Sequence, residues 1–199
     1  MVFKIILLMF VLVFQSATGL GYTEELVERA EFINGIHVQY GSLNYPEDVM
    51  TLSQAERRVQ YIFKYAEEYN DMYPNIHYKS VGIDLYAIIE WETGWANYEV
   101  LDGGISFGYI SMRFNTADEI MDELGITEGN YYDEKLQAKL ITYYYYEKLR
   151  RYDGNRDLAI LAYNRGFNLD RYSQRYENYY FQVKGRRDYI KDNVMEGGM

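Results

Sequence analysis

The sequence predicts a mainly α single domain. Three observations predict it. The chain has 199 residues, enough for one domain with its own core. Hydrophobic residues make up 48% and aromatics 18%, far above what a disordered or low-complexity chain carries. Apolar residues recur at helical spacing along most of the length, with an irregular stretch over 36–52 and another near residues 97–112 that reads as turn or short strand. No internal repeat and no second linker interrupts this pattern.

The elements follow in order. Residues 1–19 read MVFKIILLMFVLVFQSATG. Lys4 supplies a positive start, Ile5 to Phe14 is unbroken and apolar, and Ala17 and Gly19 are small. That is the shape of a cleaved secretory signal peptide, since the run is half the roughly 20 residues of a spanning helix. Residues 20–79 read as a helical N-terminal extension packed on a domain over 80–194. Within it, residues 23–34 place Leu26, Ala30 and Ile33 on one face, with Asn34-Gly35 as the stop. Residues 36–52 read as irregular around Pro46. Ser53 and Glu56 fit a capping box before a helix whose stripe is Val59, Ile62, Phe63, Ala66 and Tyr69, with Arg57, Arg58, Lys64, Glu67 and Glu68 on its other side.

A break follows at Pro74, then a short helix from about Asp84 to Thr93, stopped by Gly94. Asp102-Gly103-Gly104 marks a tight reversal. Thr116 and Glu119 fit a second capping box, and Gly125 ends that helix. Asp133 caps a long helix to about Tyr152, apolar nearly all round and therefore expected at the buried centre. Asp157 to Asn164 reads as another apolar helix ended by Gly166, and Tyr172 to Val194 as a mixed helical tail.

Composition narrows the chemistry. The formal net charge is -10, so phosphate backbones offer no attraction and nucleic acid is not an expected partner. There are no cysteines, which excludes disulfides, thiol catalysis, zinc ribbons and iron–sulfur sites. With 2 histidines, His37 and His77, a His-rich metal site or a Ser-His-Asp triad is hard to build. No metal and no cofactor is expected, and neither histidine is assigned chemistry.

One carboxylate stands out. On a helix over 85–93, Leu85, Ile88 and Ile89 form the buried stripe, Glu92 falls on that stripe one turn on, and Glu90 points across the helix. Burial raises a carboxyl pKa, as a general acid at neutral pH requires. Periodicity alone leaves open that Glu92 bends into water or pairs with an arginine.

The segment Ala87-Ile88-Ile89-Glu90-Trp91-Glu92-Thr93-Gly94-Trp95 resembles the Glu-Ser-Gly-aromatic motif of the soluble lytic transglycosylases, relatives of goose-type lysozyme. Gly108-Tyr109-Ile110-Ser111, followed by Thr116-Ala117, stands where the family has G-L-M-Q and a Thr-Ala helix start. Ala162-Tyr163-Asn164-Arg165-Gly166 matches A-Y-N-x-G. The three blocks occur in family order and cover about residues 80–190. Thr93 replaces the usual Ser, Ser111 the usual Gln, and Ile105-Ser106 the usual Gly-Ala, so the cleft wall diverges.

The resemblance implies a lysozyme-like domain of packed helices with a small turn or strand region after the catalytic helix. It implies cleavage of the MurNAc–GlcNAc β-1,4 bond of peptidoglycan, with Glu92 as the one acid and base and a 1,6-anhydroMurNAc product. By family analogy the Tyr163 hydroxyl contacts and orients Glu92, and Asn164 helps hold substrate. Thr93, Ser106, Gly108, Tyr109, Ile110 and Ser111 are the further expected substrate-binding positions, with glycine allowing close approach. A goose-type muramidase is the hydrolytic alternative. It would need a second carboxylate to position water, for which Asp102 and Glu99 are candidates, although Asp before Gly-Gly is also ordinary turn chemistry. A catalytically weak glycan-binding protein of a secretion or phage apparatus is the non-enzymatic alternative.

Tyrosine occurs 24 times. Rings stack on sugar faces, yet Tyr143 to Tyr146 must point in four directions on a helix, so most tyrosines are expected in the core. Tyr109 and Tyr163 are the two expected at the site, with Trp91 in packing and Trp95 at a cleft edge. The expected setting is periplasm, extracellular space or cell wall, as a monomer without a stable membrane anchor. Association with the anionic wall is expected to be weak and insensitive to salt.

Overall fold

The structure, a computed structural model, describes residues 24–40, 49–99, 101–165 and 174–195. The expected signal peptide and Gly166 lie outside them. Seven α-helices and one two-stranded sheet are described: α1 Glu24–Tyr40, α2 Leu52–Glu68, α3 Tyr78–Glu92, β1 Ser106–Phe107, β2 Met112–Arg113, α4 Phe114–Glu123, α5 Glu134–Arg151, α6 Arg156–Arg165 and α7 Gln174–Ile190. The strands are antiparallel, with Ser106 opposite Arg113 and Phe107 opposite Met112. A π-helical turn, Lys191–Met195, follows α7. Among the described residues no helix is long and apolar enough to cross a membrane. The chain is mainly α and forms one domain.

One core runs through every helix. Leu26, Val27 and Ala30 of α1 and Val59, Ile62, Phe63 and Ala66 of α2 join Leu85, Tyr86, Ile88 and Ile89 of α3 and Leu140, Ile141, Tyr145 and Tyr146 of α5. Helices α2 and α3 approach so closely that a Cβ at Gly82 would lie 2.6 Å from the Phe63 ring. The face of α5 that packs on α2 carries Tyr146, whose hydroxyl donates to the Ala66 carbonyl at 2.6 Å. Helix α5 is the buried centre that its all-round apolarity predicts, and Asp133 caps it by accepting from the Leu136 N–H at 2.7 Å.

Several boundaries differ from the sequence reading, each for a local reason. Helix α1 does not stop at Asn34-Gly35. The Asn34 side chain is buried and spent on tertiary bonds, donating to the Gly94 carbonyl and accepting from the Met50 N–H, so the helix runs on to Tyr40. The capping box of α2 is Thr51 with Gln54, not Ser53 with Glu56. Arg58, expected on the charged side of α2, is buried. Helix α3 begins six residues before Asp84, because the His77 imidazole caps it by accepting from the Lys79 N–H at 3.2 Å. Helix α4 starts at Phe114 with no side-chain cap, so Thr116 and Glu119 lie inside it.

Candidate acid site

Glu92 ends α3, and residues of three other elements act on its carboxyl. From α6, Asn164 Nδ2 donates to Glu92 Oε1 at 3.3 Å. From α7 comes Tyr179, whose hydroxyl is buried without a hydrogen bond of good geometry but acts on Glu92 to favour its ionised form. From the turn before β1 comes the charge of Asp102. Glu92 is half-buried. Loss of hydration pushes its pKa upward; Asn164 and Tyr179 pull against that, and the Asp102 charge adds to it. Burial therefore wins, and the carboxyl holds its proton more tightly than a solvated glutamate does. Glu90 takes the other side of the helix, as its spacing requires. It accepts from Arg29 Nε and Nη2 at 2.8 and 2.7 Å, with Arg186 Nε at 3.2 Å.

The turn after the acid is locked. Gly94 (φ 54°) and Trp95 (φ 68°) are both left-handed, a conformation a bulky residue holds only when its surroundings impose it. Asn34 holds the Gly94 carbonyl at 3.2 Å, and an Arg58 Nη1 hydrogen bond holds that of Trp95. Arg58 is itself paired with Glu134 at 2.7 Å. The reversal drives the Trp95 indole into the core between Tyr86 and Tyr109, at centroid distances of 4.8 and 6.0 Å.

The expected substrate-binding positions divide sharply. Thr93 is buried and donates through its hydroxyl to the Tyr109 carbonyl at 2.6 Å, tying the end of α3 to the β1–β2 turn. Tyr109 is not at a cleft. Its side chain is fully buried, its hydroxyl donates to the Glu134 carbonyl at 3.0 Å, and its N–H donates to Gln137 Oε1 at 2.9 Å. Gly108 does allow a close approach, but to the buried Gln137 side chain: a Cβ there would lie 2.2 Å from Gln137 Oε1. Ser106 is buried and donates to Asp102 Oδ2 at 3.1 Å. Ile110 is buried, and Ser111 is half-buried at the end of the turn with φ 49°.

Tyr163 stands beside Glu92 and feels its charge, but its hydroxyl donates to the Ile110 carbonyl at 2.5 Å. It thereby fixes the turn rather than bonding the acid. The side-chain hydrogen bond to Glu92 comes from Asn164 instead. Asp102 is exposed on its turn with φ 53°, and Glu99 is exposed. The two tryptophans exchange their expected roles: Trp95 is 0% exposed and Trp91 is 37% exposed.

Tyr179 is the site residue that sequence reasoning missed. Its signal was available: Tyr179, Val183 and Ile190 fall at i, i+4 and i+11, one face of a helix, and all three are buried. Among the described residues no group of three or more metal-ligating side chains converges. Comparison with protein-family models, with curated proteins and with solved structures finds no match for this chain.

Proposed function

We propose that the protein is an exported glycosidic-bond-cleaving enzyme of the lytic transglycosylase type, acting on peptidoglycan with Glu92 as its one acid and base. The observation that carries this reading is the Glu92 carboxyl: half-buried, raised in pKa by lost hydration, and met by Asn164 and Tyr179 from two helices that follow it in sequence. The three ordered sequence blocks around Glu92, Gly108 and Tyr163 support the same reading.

The step balances without water. Glu92 gives its proton to the oxygen bridging MurNAc and GlcNAc, and the C1–O bond breaks. The substrate's own N-acetyl oxygen supports the cationic carbon. The carboxylate then takes the proton of the C6 hydroxyl as O6 closes on C1, which yields the 1,6-anhydro end and returns Glu92 to its acid form. A carboxyl that resists ionisation suits the first half of this cycle, and the two phenols near it suit the second. Burial holds Tyr163 and Tyr179 well above the usual tyrosine pKa, so both stay neutral and neither competes for the proton.

A muramidase is the second reading, and one observation favours it: the reaction needs a second carboxylate to orient water, and Asp102 lies near enough for its charge to act on Glu92. Digestion of purified peptidoglycan by the protein and by Glu92→Gln, followed by mass spectrometry of the released sugar ends, tests both. Anhydro ends support the transglycosylase and reducing ends the muramidase. Equal release by both proteins overturns the catalytic proposal.

A further inference from the structure

Trp91 immediately precedes Glu92 on α3 and is 37% exposed, in a chain whose other tryptophan, Trp95, is 0% exposed. Leaving an indole in water forfeits apolar burial. The ring is nonetheless fixed. The Arg186 guanidinium lies over the ring, 4.8 Å from its centroid, a cation–π contact that holds the indole against α7. Arg186 is held in turn: its Nη1 donates to the Gln182 carbonyl at 3.0 Å and to Gln182 Oε1 at 3.1 Å. Its Nε stands 3.2 Å from Glu90, which Arg29 clamps. Trp91 and Glu92 both border α7, Glu92 at Tyr179 and Trp91 at Arg186, seven residues and about two turns apart. A pre-oriented aromatic surface reaching solvent beside the acid matches the apolar face of a pyranose ring.

We propose that Trp91 is a glycan-stacking platform: its indole carries an N-acetylhexosamine ring of the strand held across Glu92, with Arg186 and Glu90 as its frame. This rests on the glycosidase reading of Glu92. The ligand is neutral at the stacked ring, so the platform works despite the acidity of the whole chain.

The test is a fluorescence titration with an N-acetylglucosamine hexamer in the Glu92→Gln background, where bound sugar is not cut. Trp95 is sealed in the core, so a ligand-dependent change reports Trp91. Calorimetry supplies affinities for the variants. Trp91→Ala is expected to weaken binding about tenfold, or about 1.4 kcal/mol, and Trp91→Phe less than threefold, both with an unchanged circular dichroism spectrum. In the catalytically intact chain Trp91→Ala raises KM for soluble glycan by a similar factor and leaves kcat within twofold. Equal affinity of Trp91→Ala and its parent overturns the platform, as does a loss from Phe as large as that from Ala. If the hexamer fails to bind while Glu92-dependent cleavage of sacculi persists, the platform falls and the glycosidase reading stands. If cleavage is also missing, the glycosidase reading falls and takes the platform with it.

Discussion

Asn34 of α1 and Gly94, 60 residues further along the chain, are joined by a buried hydrogen bond of 3.2 Å from the Asn34 amide to the Gly94 carbonyl. The same side chain accepts from the Met50 N–H at 2.7 Å. It therefore holds two loops at once, one of them the left-handed turn directly behind the acid. Asn34→Ala strands a buried donor and a buried acceptor, and the expected cost is about 2–3 kcal/mol. Urea unfolding measures it. Under the proposed function, release of muropeptides by the folded variant is expected to fall as well, because the end of α3 loses its anchor.

Gly108→Ala tests the β1–β2 turn. Its φ of 75° is left-handed, and the added methyl meets Gln137 Oε1 at 2.2 Å. Gln137 cannot retreat easily, since it also donates to Asn97 Oδ1 at 2.9 Å and to the Tyr131 carbonyl at 2.8 Å. The expected loss is about 2–4 kcal/mol, read as a lower denaturation midpoint with an unchanged urea slope.

Arg156→Met leaves a buried charge behind. Asp84 is fully buried in α3 and receives Arg156 Nε and Nη2, each at 2.7 Å, with the Tyr145 hydroxyl at 2.8 Å. Arg187 stands off at 4.0 Å. Removing one partner of such a pair costs about 3–5 kcal/mol. The double variant with Asp84→Asn is expected to recover part of that loss, and a double-mutant cycle in urea gives the coupling.

The fold class and the place of Glu92 at the end of the buried stripe were legible because each rests on a local rule. Helical spacing sets Glu92 on the stripe of Leu85, Ile88 and Ile89, and Asp133 caps α5 with its own side chain. What was not legible depends on distant partners. Asn34 reads as a helix stop until Gly94 and Met50 occupy its amide. Arg58 reads as a solvated charge until Glu134 and the Trp95 carbonyl receive it. The tryptophans were exchanged because α-helical spacing ends at Thr93, and the left-handed backbone at Gly94 and Trp95 turns the second indole into the core.

Lys148 gives a pH-dependent test. It is fully buried, with Nζ 3.7 Å from the Tyr144 ring centroid, and burial lowers its pKa to about 7. Its unfolded value lies near 10.4, so between those limits the unfolded chain binds the extra proton and stability rises with pH. The burden is full below about pH 7 and fades as pH climbs toward 10. Lys148→Met is expected to stabilise the protein by about 2 kcal/mol at pH 6, after allowing for the lost ring contact, and by less than half of that at pH 9. Thermal unfolding at the two pH values measures the difference.

Glu92→Gln has a stability signature of its own. The folded carboxyl binds its proton more tightly than the unfolded one, so its contribution is most favourable at low pH and is lost as pH rises through the folded pKa. The amide carries no such dependence. The variant is expected to melt above the parent at pH 8, with the gap closing by pH 4. A gap that widens on acidification would contradict the assigned direction.

Glu90 ties α3 to helices from opposite halves of the polypeptide: Arg29 precedes it by 61 residues, and Arg186 is supplied by α7. During synthesis this carboxylate leaves the ribosome long before its second cation does. The nascent chain can collapse around α1 to α3, but it closes the last contact beside the acid only when α7 has emerged. Assembly of the C-terminal end of α3 thus waits for synthesis of α7, and a chain paused short of Arg186 would carry an indole without its guanidinium cover.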